Sequence, residues 1–126
     1  MQDDNDELLR LARQLYLERD QGAPPLRWRP AADLYRTRGG WVIKVELAGV
    51  EAHQIELAAR GQVLVLRGHR RDNAFAEDCA FYTMEILYSE FERTFQLPID
   101  LERCRITTEC TNGMLLIRIT PEVTSP

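Results

Sequence analysis

CRITTECTNGMLLIRI, residues 104–119, is the stretch that decides the fold. Cys104, Ile106, Thr108 and Cys110 alternate with Arg105, Thr107 and Glu109, the period of two that puts successive side chains on opposite faces of a strand. Asn112-Gly113 follows, a pair that tolerates positive φ and marks a tight hairpin. Leu115, Ile117 and Ile119 then share one face of the returning strand, and Pro121 ends it. Two strands joined by two residues can only be antiparallel.

The same period extends backwards. In FYTMEILYS (81–89) and FERTFQL (91–97) two more extended runs are expected, the second broken by Pro98 and Asp100. Residues 69–80 are polar and irregular, a long loop with room for one short edge strand. Leu64 and Leu66 oppose Val63 and Val65 after Gly61, and Ile55 and Leu57 alternate with Gln54 and Glu56. Trp41, Ile43, Val45 and Leu47 face one way; Val42, Lys44 and Glu46 face the other, after a Gly39-Gly40 turn. Seven or eight short strands with turn signals between them, and no helical period, predict an all-β, antiparallel, immunoglobulin-like β-sandwich.

Before the strands, residues 6–19 carry Leu8, Leu11, Ala12 and Leu15 at helical spacing behind Asp3, Asp4, Asp6 and Glu7. A helix this short is marginal alone, so its apolar stripe calls for a partner surface. Gly22, Pro24, Pro25 and Pro30 make residues 20–30 a linker. The expected organisation is an arm and linker over 1–26, a sandwich over 27–121 and a tail over 122–126.

The composition excludes several classes. A 126-residue chain with net charge -4 and no basic block is a poor binder of phosphate backbones, so no nucleic acid is expected. No apolar run approaches the ~20 residues that span a bilayer, so no membrane is expected either. MQDDNDELLR lacks the basic start and apolar run of a secretory signal. Three cysteines, Cys79, Cys104 and Cys110, do not make a disulfide framework, and a reducing cytoplasm is the expected address.

No catalytic set assembles. His53 and His69 read as solvated, Cys104 and Cys110 as sheet residues, and Glu77-Asp78 as a charged loop. Cys79 alone sits where a thiol is accessible, without a base in view. No zinc or nucleotide motif occurs, so no enzyme, metal or cofactor is expected. Arg93 stands apart, because it shares a strand face with Phe91, Phe95 and Leu97. Either it snorkels to water near a sheet edge, or its guanidinium pairs across a subunit interface.

In order, five segments resemble the α-crystallin domain of the small heat-shock proteins. WRPAADLYRT (28–37) looks like the family's Pro-x-x-Asp-Ile/Leu-Tyr-Glu opening, and VELAGVEAHQIEL (45–57) its ELPGV segment. LVLRGHR (64–70) resembles Leu-x-Ile-x-Gly-x-Arg. FERTFQLP (91–98) is similar to Phe-x-Arg-x-Phe-x-Leu-Pro, and NGMLLIRI (112–119) to Asn-Gly-x-Leu-x-Ile. The departures are Ala48 for the proline of ELPGV, Ile86 where Glu-Arg is usual, and Ser89 where glycine is common. The family's C-terminal Ile-x-Ile/Val motif does not occur after Pro121, which argues against its usual large assembly.

The resemblance implies an ATP-independent chaperone of bacterial type, a holdase for unfolding client proteins in the stress response. It implies a homodimer, with larger oligomers or mixed oligomers with related proteins as further states. Arg93, Glu85, Phe75 and Phe81 would lie at the dimer interface, where the loop over 69–81 carries a strand to the neighbour. Ile55 and Leu57 would line one side of an apolar groove, with Cys104, Ile106 and Thr108 on the other. Leu8, Leu11 and Leu15 of the arm would add client-binding surface. Two other roles stay open: a regulatory or assembly subunit acting on relatives' oligomers, and a co-chaperone module of the CS-domain type.

Overall fold

Asn112 and Gly113 take φ of 53° and 78° and turn the chain back on itself. The conformation costs glycine nothing and asparagine little, so this hairpin fixes the register around it. The computed structural model describes residues 28–72 and 78–122. They form seven strands: β1 (Ala32–Thr37), β2 (Gly40–Glu46), β3 (Ile55–Arg60), β4 (Val63–Arg70), β5 (Ser89–Gln96), β6 (Cys104–Thr111) and β7 (Met114–Pro121). All strand pairings are antiparallel, in a four-stranded sheet ordered β1-β2-β7-β6 and a three-stranded sheet ordered β3-β4-β5.

The two sheets close on one core. Ile43 lies opposite Ile117, and Val45 opposite Leu115, in the larger sheet. Leu64, Leu66, Phe91 and Phe95 come from the smaller one, and Leu97 and Leu101 seal the crossing between them. Each such side chain, withdrawn fully from water, contributes about 1.5–3 kcal/mol. The faces expected from the period of two are the faces observed: Ile43, Val45 and Leu47 are buried, while Glu46 is exposed.

Gly68 marks a close approach. It pairs with Phe91, and a Cβ there would sit 2.3 Å from the Gln54 carbonyl oxygen and 2.7 Å from Phe91 Cζ. The carbonyl belongs to rigid backbone, so Gly68→Ala should destabilise the domain by about 1–3 kcal/mol. Chemical denaturation would read that as a lower midpoint at unchanged slope.

Two features depart from expectation. The first is a pair of one-turn 3-10 helices, Ala52–Gln54 and Leu101–Arg103. The Glu51 amide donates to Gln54 Oε1 at 2.9 Å, and the Glu102 amide donates to Asp100 Oδ1 at 3.0 Å. Three residues are too few to leave a helical period in the sequence, so only these caps mark them. The second is residues 81–88, expected as a strand, which make no ladder within the chain; β5 starts only at Ser89. Strand propensity needs a neighbouring edge, and β5 already lies between β4 and an isolated parallel bridge to Trp28. The Leu8, Leu11 and Leu15 arm and Phe75 lie outside the described residues.

Candidate interaction surfaces: an open sheet edge and a groove

β1 ends the larger sheet, so among the described residues one side of its backbone has no strand beside it. The Glu46 amide donates to the Ala31 carbonyl at 3.0 Å, which makes residues 31 and 46 a hydrogen-bonded pair. Alternation along an antiparallel ladder then aims the peptide groups of Ala32, Leu34 and Arg36 outwards. Leu34 and Tyr35 on this edge are each 40% exposed. An edge bearing bulky side chains and free peptide groups is a template for another strand.

The segment before β5 has matching character. Phe81, Tyr82, Met84, Ile86 and Leu87 are all exposed, Tyr82 at 97%. Its end is held by Arg70. The guanidinium donates through Nε to the Leu87 carbonyl at 2.9 Å and again through Nη2, while Nη1 reaches the Ala48 carbonyl at 3.2 Å. The same group lies 4.0 Å over the Trp28 ring and 5.4 Å over Tyr88. Ser89 follows at φ 86°, a conformation that costs a residue with Cβ and suits the glycine expected there. In the sequence Arg70 is only the last residue of LVLRGHR and shows no role, because its partners lie 17, 22 and 42 residues away.

Arg93 shares the alternation of Phe91 and Phe95 on β5, and Leu97 follows just past the strand's end. Its Nη1 donates to the Pro30 carbonyl at 2.8 Å, and its guanidinium stands 4.9 Å over Phe95. Pro30 leads directly into β1, so Arg93 braces the start of the open edge. Glu85, Ile86 and Leu87 line a cleft with Trp28, Pro30 and Ala31. Phe81, by contrast, is on the exposed segment and not in that cleft.

The expected groove belongs between two other sheet edges among the described residues, β3 and β6. Ile55 and Leu57 on one side, and Cys104 and Ile106 on the other, are half-buried against the core. Thr108 is exposed and makes no part of that apolar lining. One end is tied shut: the Leu101 amide donates to the Gly61 carbonyl at 2.7 Å, and the Gly61 amide to Glu102 Oε2 at 3.0 Å. The other end is open, where Val50, Ile55, Cys110, Met114 and Leu115 line a cleft. Cys110 belongs to that lining although the expected set omitted it; it stands on the same alternation as Cys104 and Ile106.

The groove has little charge chemistry. Cys104 donates to the Asp100 carbonyl at 3.4 Å. Burial, then the nearby Asp100 and Glu122, push its thiol pKa up, which keeps it a neutral, poorly nucleophilic side chain. Among the described residues no three His, Cys, Asp or Glu side chains are grouped to hold a metal, and no helix is long and apolar enough to cross a membrane. What the surfaces offer is apolar area and unpaired strand edges.

Known proteins share this arrangement. The model of the Hsp20/alpha crystallin family matches residues 33–126. The chain is 26% identical over 90 residues to small heat shock protein C2 of Rickettsia felis, covering 71% of this chain and 58% of that one. It is 32% identical over 97 residues to a 17.7 kDa class II heat shock protein of Arabidopsis thaliana, covering 75% and 62%. It thus spans about three fifths of each of these relatives. Among solved structures, hspA from Xanthomonas axonopodis superposes with a TM-score of 0.64 at 31% identity, over 75% of this chain and 95% of that one.

Proposed function

This chain belongs to the Hsp20/alpha crystallin family of small heat-shock proteins, and from that premise we propose that it is an ATP-independent holdase of the cytoplasm. The observation that carries the reading is the half-buried apolar border of two edge strands, β3 and β6, which we read as a groove. Its lining of Ile55, Leu57, Cys104 and Ile106 offers apolar surface beside strands that can accept a further strand. Unfolding clients expose both apolar side chains and unpaired backbone. Each Å² of apolar surface they bury returns roughly 25 cal/mol. A few hundred Å² gives weak, reversible holding once the cost of association is met. Thr108 would meet a client at the rim, and the arm residues Leu8, Leu11 and Leu15 add apolar area.

The working unit in this reading is a homodimer. The exposed segment 81–88 of one copy adds to the β1 edge of the other, with Phe81, Phe75 and Glu85 carried across and Arg93 bracing the receiving edge. Larger and mixed oligomers with related proteins build on that unit.

The test is light scattering from a heat-denaturing client without ATP. Suppression at equal mass supports the holdase; none at several-fold excess rejects it and favours a subunit that modifies relatives' oligomers. Ile106→Glu puts a charge into the groove without touching a fully buried core position. It should raise the amount of protein needed for equal protection by about tenfold, the equivalent of about 1.4 kcal/mol. An unchanged requirement would move the binding surface away from the groove.

A further inference from the structure

The last rung of the β4-β5 ladder pairs Arg70 with Ser89, and there the chain leaves the sheet. Two features fix how residues 81–88 depart. Ser89 stands at φ 86°, a left-handed conformation that breaks the extended line of β5. Arg70 then takes hold two residues earlier. Its Nε donates to the Leu87 carbonyl at 2.9 Å and Nη2 donates to the same oxygen, a fork that fixes orientation as well as position. Nη1 donates to the Ala48 carbonyl in the turn after β2. The Arg70 stem passes Gly49 of that turn, where an added Cβ would lie 3.7 Å from its Cδ. The guanidinium covers Trp28, and Trp28 is itself tied to β5. Its amide donates to the Glu90 carbonyl and its carbonyl accepts from the Glu92 amide, both at 3.1 Å. One half-buried side chain thus joins the base of the segment to β4, to the 48–49 turn and to the Trp28 bridge. Before Leu87, the side chains of Ile86, Met84 and Tyr82 stand exposed.

We propose that Arg70 is a positioning residue for dimer exchange: it sets the direction in which residues 81–88 leave the sandwich, and with it their affinity for the β1 edge of a second copy. The inference rests on the homodimer reading and not on client holding. Arg93 braces the receiving edge; Arg70 aims the donating segment. The physical reason is preorganisation. A segment that is not held at its base samples many exits, and each residue ordered only on association weakens a dimer by about tenfold. With Arg70 in place, that ordering at Leu87 and Tyr88 is complete before the second copy arrives. The residue type matters as much as the charge. A planar guanidinium can fork onto one carbonyl, reach a second and lie over an indole ring in a single pose. A lysine ammonium is a point charge on a flexible stem and cannot hold all three partners in one plane.

Arg70→Gln and Arg70→Lys in the full chain test it, each read in two ways. Sedimentation velocity over a dilution series should give a dimer dissociation constant about tenfold above that of the wild type in both. Chymotrypsin, applied where the protein is monomeric, reports the hold itself. The bonds after Leu87 and Tyr88 should be cut about tenfold faster, measured against the bond after Tyr82, which is exposed already. The bond after Phe95, buried within β5, should stay uncut. Cutting at Phe95 as well would show a general loosening and overturn the proposal. Unchanged cutting after Leu87 and Tyr88 overturns it, because Arg70 then does not hold the segment. A freed segment with a wild-type dissociation constant also overturns it, and so does wild-type affinity in Arg70→Lys. A wild type that stays monomeric at every concentration removes the homodimer reading and this inference together. That failure shows in the wild type alone, whereas the others show only in the variants. Should Arg70→Gln fail to fold, Arg70→Lys decides alone.

Discussion

Phe91→Ala is expected to remove about 3–5 kcal/mol of stability, most of what a domain this size has to lose. Phe91 is 0% exposed and is the largest fully buried side chain in the core. Its ring meets Trp28 edge-on, with centroids 5.4 Å apart and planes at 77°, a geometry worth something beyond area alone. Across the ladder it covers Gly68, which has no side chain to close a gap. Truncation therefore leaves a cavity that no neighbour can fill, and also removes the packing surface that holds Trp28 against β5. For a domain of under a hundred residues, each kcal/mol shifts the thermal midpoint by about 4–8 °C, so a fall of roughly 15–30 °C is expected by circular dichroism. A fall of only a few degrees would mean that the sheets collapse over the site, and that Phe91 is not the centre of the core.

Leu34→Pro should separate folding from association. The hydrogen-bonded pairing of residues 31 and 46 leaves the Leu34 amide pointing away from β2. Proline at that position removes an outward donor and keeps the inward ladder, the placement that edge strands accept. The sandwich should hold its midpoint to within a few degrees. The proposed partner strand, however, loses one or two hydrogen bonds at about 1 kcal/mol each and the contact of a leucine side chain worth about 1.5–2 kcal/mol. Together that is roughly 3 kcal/mol, or about a hundredfold in dimer dissociation constant. Sedimentation velocity over a dilution series would read it directly. A dimer of wild-type affinity in this variant would show that β1 is not the pairing edge.

Much of the fold was legible because the period of two is a local signal. Trp41 to Leu47 and Leu115 to Ile119 declare their buried faces through their immediate neighbours. Asn112-Gly113 sets a register that no distant contact has to correct. The site was less legible. The inward face of Arg93 could be read from Phe91 and Phe95, but its acceptor, the Pro30 carbonyl, lies 63 residues away and is a main-chain group that sequence does not advertise. Arg70 organises Trp28, Ala48 and Leu87 for the same reason without any local sign of it. FYTMEILYS reads as a strand by composition, but residues 81–88 pair with none of the described strands, because propensity alone does not place a segment beside an edge. Ser89 was noticed as a departure, and the backbone shows where it matters, at φ 86°. Thr108 shares the alternation of Ile106 yet stands exposed, since β6 is an edge strand with only β7 beside it.

The tie between Gly61 and residues 101–102 gives the groove a direction. A slot stopped at one end and open at the other is a ruler as well as a surface. From Ile55 to Arg60 it measures about 20 Å, the span of six extended residues. An unravelled chain end can slide in until it meets the stop. The middle of a taut, still-folded loop has no free end to bring to it, and must bend out again before Gly61. In the proposed holding reaction such a slot would sort chains by how far they have come apart, before any side chain is compared.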